Sequence, residues 1–265
     1  MSATTPLPAL IAEAYRLFAP CRATFPLAVC NCACCSPQDF QRELLRFPLR
    51  QIPADYLYAY LSSVPSDDQA ATARDMKHFL PRILEAVTRG EDIRSLDEMR
   101  LDKLCCGLPE VWASDELDFL HRFARAWFAS LLNGQNAALP AIQSADPHTT
   151  LLTFHYAGLD CTAELLAVWT QHADHPAALA AFVALWTAMP VGSSQWRERF
   201  YLPAEHHIRP ERFTQPLLQW FDDPATRATF QAALETALLE DRAPADEIPL
   251  WENCYDWLGM MLKPA

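Results

Sequence analysis

The chain has 265 residues, 51% of them hydrophobic and 20% charged, so it has the material for a packed core and is not of the disordered class. Its 33 acidic side chains against 21 basic ones give a net charge of −12, which disfavours direct binding of nucleic acid, where Lys and Arg must neutralise phosphates, and favours basic partners. Residues 1–6 lack the basic and apolar stretches of a secretory signal, and no run reaches 18 uncharged apolar residues, so the expected location is cytoplasmic, with the nine cysteines reduced.

Helical signals dominate the order along the chain. An apolar stripe over residues 10–18 predicts a first helix. Residues 30–35 (Cys-Asn-Cys-Ala-Cys-Cys) carry no stripe and read as a connector, after which Ser36-Pro37 places a capping residue before a helix-starting proline. Tyr56, Tyr58 and Tyr60 alternate within a predicted helix, so they cannot share one face and at least one is expected at the surface. Ser66-Asp67-Asp68-Gln69 has the spacing of a capping box, and residues 75–85 read as a short helix containing Pro81. A long amphipathic helix over 115–132 ends at Gly134. Asp146-Pro147, His175-Pro176 and Asp223-Pro224 start further helices, with stripes over 165–169, 179–186 and 230–239 and a turn at 189–194. Roughly ten to twelve helices follow, with almost no alternating β-branched segments. The expected fold is all-α, a multi-helix bundle or an irregular solenoid-like array. It is either a single domain over 1–265 or two halves, 1–134 and 146–265, joined by a loop near 135–145.

The cysteine run is the most specific chemistry. Thiolates bind soft metals and exchange electrons. Cys30, Cys32 and Cys35 are the candidate zinc ligands, Cys34 completes the cluster, and Cys21, His78, His121, Cys105 and Cys106 could complete a set of four. Thiols buried as small apolar groups are the alternative, and a redox switch is a third. A second cluster, Asp75, Lys77, His78 and Arg82, offers an acid, two bases and an imidazole, although the same groups serve equally well to cap helices or pair with carboxylates. His172, His175, His206 and His207 match no zinc-enzyme spacing. Nucleophile elbows and phosphate-binding glycine loops are absent, and the chain has only six glycines.

Over residues 15–87 the chain resembles a family of helical bacterial proteins marked by a Cys-rich connector, a segment like Phe47-Pro48-Leu49-Arg50 and one like Lys77-His78-Phe79-Leu80-Pro81-Arg82-Ile83-Leu84-Glu85. In its acidic, helical and aromatic-rich character it also resembles the cytoplasmic immunity proteins of bacterial secreted-toxin (type VI) systems. That resemblance implies a non-enzymatic protein that neutralises a basic toxin, such as a nuclease, by surface complementarity. The candidate contact residues are Tyr56, Tyr60, Asp67 and Asp68, chosen for expected exposure and charge. Alternatives are a zinc-binding or thiol-sensing protein and an enzyme with its site around His78.

Overall fold

The computed structural model describes residues 5–30, 36–95, 97–134, 146–188 and 211–261. These residues form eleven α-helices and short 3-10 turns. Among them the pairing of extended backbone is an isolated antiparallel bridge between Val29 and Pro65. The fold is all-α.

The described residues cluster into two compact units. The first is drawn from the described residues within 5–127 and 152–160, the second from those within 128–134, 146–151 and 161–261. The division cuts through the long helix, between Trp127 and Phe128, rather than following the loop near 135–145.

The first unit contains α1 (Leu7–Leu17), α2 (Gln38–Leu44), α3 (Ala54–Ser62), α4 (Gln69–Thr88) and most of α5 (Ser114–Leu132). Helix α4 is its spine, packing against α1 and against the 3-10 turns Leu49–Gln51 and Asp102–Leu104. Phe79, Leu80, Ile83 and Leu84 of this helix are fully buried, as are Leu57 and Leu61 of α3. Burying such side chains is worth roughly 1.5–3 kcal/mol each.

Three local expectations are corrected here. Residues 75–85 belong to a continuous helix of 20 residues, with Pro81 inside it. An interior proline forfeits the bond to the carbonyl four residues back, at a cost of about 3 kcal/mol, and here the ring is buried among the apolar side chains that offset this. Ser66 forms no capping box: the N-cap is Asp68, whose carboxylate accepts the Ala71 N–H at 2.9 Å. Ser36 does not cap α2 either, because Pro37 occupies the N-cap position and Ser36 is buried.

The second unit contains α7 (Thr162–Gln171), α8 (Pro176–Ala188), α9 (Glu211–Asp222), α10 (Pro224–Leu239) and α11 (Ile248–Met261), while α6 (Pro147–Tyr156) contributes residues to both units. Asp146 and Asp223 cap α6 and α10 as their sequence positions predict, accepting from Thr149 at 3.0 Å and Thr226 at 2.9 Å. The core is aromatic. Phe182 and Phe230 stack at 3.9 Å, Trp169 lies 5.3 Å from Trp220, and Phe221 lies 5.4 Å from Trp257. The packing of these large flat side chains adds to the area they bury.

Candidate functional site

Six polar residues of α4 hold other segments. Thr72 donates to the Ala28 carbonyl at 3.1 Å, and the Asp75 carboxylate accepts the Ala28 N–H at 2.6 Å. Lys77 donates to Glu116 at 2.5 Å and to the Val111 carbonyl, with its ammonium 4.5 Å above the Trp112 ring. His78 Nδ1 lies 3.2 Å from the Cys21 carbonyl oxygen. Arg82 donates to the Ile52 carbonyl at 3.1 Å and to both carboxylate oxygens of Glu91. Glu85 accepts the Tyr15 hydroxyl at 2.7 Å.

An acid/base site requires its groups to converge on one point. At about 100° per residue, Lys77 points away from the side of α4 that carries Asp75, His78 and Arg82. Each of the four holds a different segment. Burial raises the Asp75 carboxyl to about 6, against the pull of the Ala28 amide, and lowers His78. Both shifts accompany structural contacts.

What this pinning builds is a supported surface loop between α3 and α4. Cys30 donates to the Val64 carbonyl at 2.7 Å and Ser66 to the Ala28 carbonyl at 3.1 Å, on either side of the Val29–Pro65 bridge. Thr72 and Asp75 hold Ala28 from behind. The C-terminal carbonyls of α3 are capped by two cations: Lys103 donates to the Tyr60 carbonyl and Arg94 to the Leu61 carbonyl. Arg94 also grips Asp102 with two bonds of 3.0 Å. Cations at a helix C-terminus complement its dipole. Burial lowers the Lys103 ammonium to about 7, with Asp102 opposing the shift. Beyond these anchors Val64 is 57% exposed, and Pro65, Asp67 and Asp68 are exposed. The loop therefore presents an apolar side chain and two carboxylates on fixed backbone.

The candidate contact residues separate. Asp67 and Asp68 lie on this loop, and Asp68 also caps α4. Tyr56 is half-buried, stacked on Phe40 at 5.4 Å and edge-on to Phe47 at 4.8 Å, with its hydroxyl bonded to Glu43. Tyr60 does not reach the surface: it is 1% exposed, 4.7 Å from Phe79 and beneath the Lys103 ammonium. The physical reason is the helical period, which puts Tyr60 on the same face as buried Leu57 and Leu61. Val64 carries no sequence signal, because a lone valine in a loop has no pattern to mark it.

Of the proposed metal ligands, Cys30 is half-buried with a free thiol. Cys32 and Cys35, with Cys34, lie outside the described residues, as do His206 and His207. Among the described residues no group of three or more His, Cys, Asp and Glu side chains is arranged to hold a metal ion. The two ends of the connector are joined by buried Gln41, whose side chain accepts the Leu27 N–H at 3.0 Å and donates to the Ser36 carbonyl at 2.9 Å. Elsewhere His172 Nδ1 meets the Val168 carbonyl at 2.8 Å, and His175 accepts the Ala177 N–H at 3.3 Å. Cys105 and Cys106 are buried, and burial raises the Cys254 thiol to about 12. Among the described residues no helix is long and apolar enough to cross a membrane.

No family model, curated protein or solved structure matches the chain.

Proposed function

We propose that this chain is a non-enzymatic binding protein that holds a basic protein partner against its α3–α4 loop, in the manner of a cytoplasmic immunity protein neutralising a secreted bacterial toxin. The observation that supports this reading best is the loop itself. It offers Val64, Asp67 and Asp68 on a backbone anchored by residues 28–30, α4, Arg94 and Lys103. A preformed contact surface avoids the ordering cost that a mobile loop incurs on binding. The net charge of −12 accelerates encounter with a positively charged protein. A toxin acting on nucleic acid presents such a basic cleft.

The test is binding to the product of the adjacent reading frame by the Asp67→Lys/Asp68→Asn double variant. Asn keeps the helix cap while the pair reverses the loop's charge. The reading expects at least a tenfold loss of affinity and a shallower salt dependence. Unchanged binding by a folded variant contradicts it.

A second reading is zinc binding or thiol redox sensing by Cys30, Cys32 and Cys35. Its support is the density of thiols in the sequence and the closure of the connector's ends by Gln41. Near-stoichiometric zinc in purified protein, lost in Cys32→Ser, is its expected outcome. Metal-free protein whose thiols resist mild oxidants rejects it.

A further inference from the structure

In the second unit a groove of about 760 Å³ runs between α7 and α9 to the start of α10. Ala163 and Ala167, one turn apart and both exposed, line its α7 side, and Pro216 lines its α9 side. Leu166 and Trp220, both buried, form the floor. The Trp220 indole is fixed: its N–H donates to Thr170 at 2.7 Å, and its ring lies 5.6 Å from Phe230. The groove is mostly apolar and wide open to solvent. Asp223 is the one charged side chain among its lining residues.

We propose that this groove receives an amphipathic helix of a protein partner, buried along its apolar face and carrying a Lys or Arg that meets Asp223.

Three features select this occupant. A small molecule is normally covered over most of its surface by its pocket, which an open trough cannot do. Alanines one turn apart leave a shallow wall over which another helix can approach to about 8–10 Å, and a rigid tryptophan floor is the kind of contact that dominates binding energy. The charge at the end is anionic. The positive end of the α10 dipole is already met by Asp223, which accepts from the Thr226 N–H and hydroxyl at 2.9 Å each and is held below the usual carboxylate range by those bonds, with smaller help from the Ala225 N–H and the Arg227 charge. The carboxylate is exposed and takes both Thr226 bonds on one oxygen, and nearby Arg227 is itself bonded to Phe221 and Asp222, so even with the Ala225 bond Asp223 has acceptor capacity left for an incoming cation. The proposal does not depend on the acidic loop of the first unit.

The probe is a synthetic 14-residue Leu/Lys peptide patterned as an amphipathic helix, with a Leu/Glu peptide as its counterpart. Binding to the full chain is followed by methyl NMR. The expected result is saturable shifts at Ala163, Ala167 and Leu166 with the Lys peptide and none with the Glu peptide. Ala167→Trp or Ala163→Trp, which fill the trough from exposed positions, should weaken binding at least tenfold. Asp223→Asn, which preserves the cap, should weaken it three- to tenfold and flatten its salt dependence. Circular dichroism and Tm establish that each variant is folded. Shifts mapping elsewhere, equal binding of the Glu peptide, or undiminished binding by both folded tryptophan variants would overturn the proposal. So would self-association of the chain that disappears in those variants, since it would make a second copy the occupant.

Discussion

The Asp75 carboxylate accepts the Ala28 N–H at 2.6 Å, and Thr72, one turn earlier on α4, donates to the carbonyl of the same residue. Both peptide groups of a surface segment are thereby held by one helix. The cost lies in the charge, because burial lifts the Asp75 carboxyl from 3.8 to about 6. Between those values the folded protein binds the proton and the unfolded chain does not. The contribution of Asp75 is therefore greatest below about 3.8 and is lost as pH rises through about 6. Asp75→Asn should lack this slope, so the stability difference between variant and wild type should shift in the variant's favour from pH 4 to pH 7. Urea unfolding at both pH values measures it, and a difference independent of pH refutes the assignment.

Lys103 has the opposite sign. It is buried, and its ammonium is lowered from 10.5 to about 7. Between these values the unfolded chain holds the proton and the folded one has released it, so this side chain makes the protein more stable as pH rises from about 7 to about 10.5. Lys103→Met should remove that increment. The denaturation midpoint of wild type should rise relative to that of the variant at each step through pH 7, 8, 9 and 10. Parallel curves would mean that Lys103 keeps its proton throughout.

Asp241 has φ 52 at the C-terminal end of α10, where Arg242 donates to the Ala237 carbonyl at 2.8 Å and Asp241 to Leu238 at 3.3 Å. The same pair of bonds closes α4 at Gly90 and α6 at Gly158, where glycine takes the left-handed conformation without penalty. Asp241→Gly should raise stability by about 1 kcal/mol, read from thermal or urea unfolding. A destabilised variant would show that the carboxylate supports the fold in another way.

Gln41 joins the flanks of the cysteine connector, and its replacement should be costly. Gln41→Leu leaves the Leu27 N–H and the Ser36 carbonyl without this partner, at about 1–3 kcal/mol for each group left unsatisfied. Hydrogen exchange at Leu27 should accelerate in the variant. Unchanged exchange and stability would remove Gln41 from this role.

The helical class was legible because it depends on periodicity and on prolines at helix starts, and both are local. Asp223 and Asp146 cap the helices that their positions announce. The continuity of α4 through Pro81 was not legible, because it depends on tertiary burial that no local rule registers. Tyr60 shows the same limit within α3. Alternation excludes a shared face for the three tyrosines but does not say which one faces inward, and the choice was made by packing against Phe79. For Asp75, Lys77, His78 and Arg82 the composition fits catalysis and anchoring equally, and only the geometry distinguishes the two. The loop's scaffold joins residues 28–30 to 64–66 and Lys103 to Tyr60, contacts between distant positions with no signature in the chain.

The most direct measurement is calorimetric titration of the adjacent reading frame's product into wild type and into Asp67→Lys/Asp68→Asn, at low and moderate salt. The account predicts tight, salt-sensitive binding by wild type, and in the folded variant an affinity at least tenfold weaker with a reduced salt slope. Equal affinity and equal salt slope in the two proteins would contradict it.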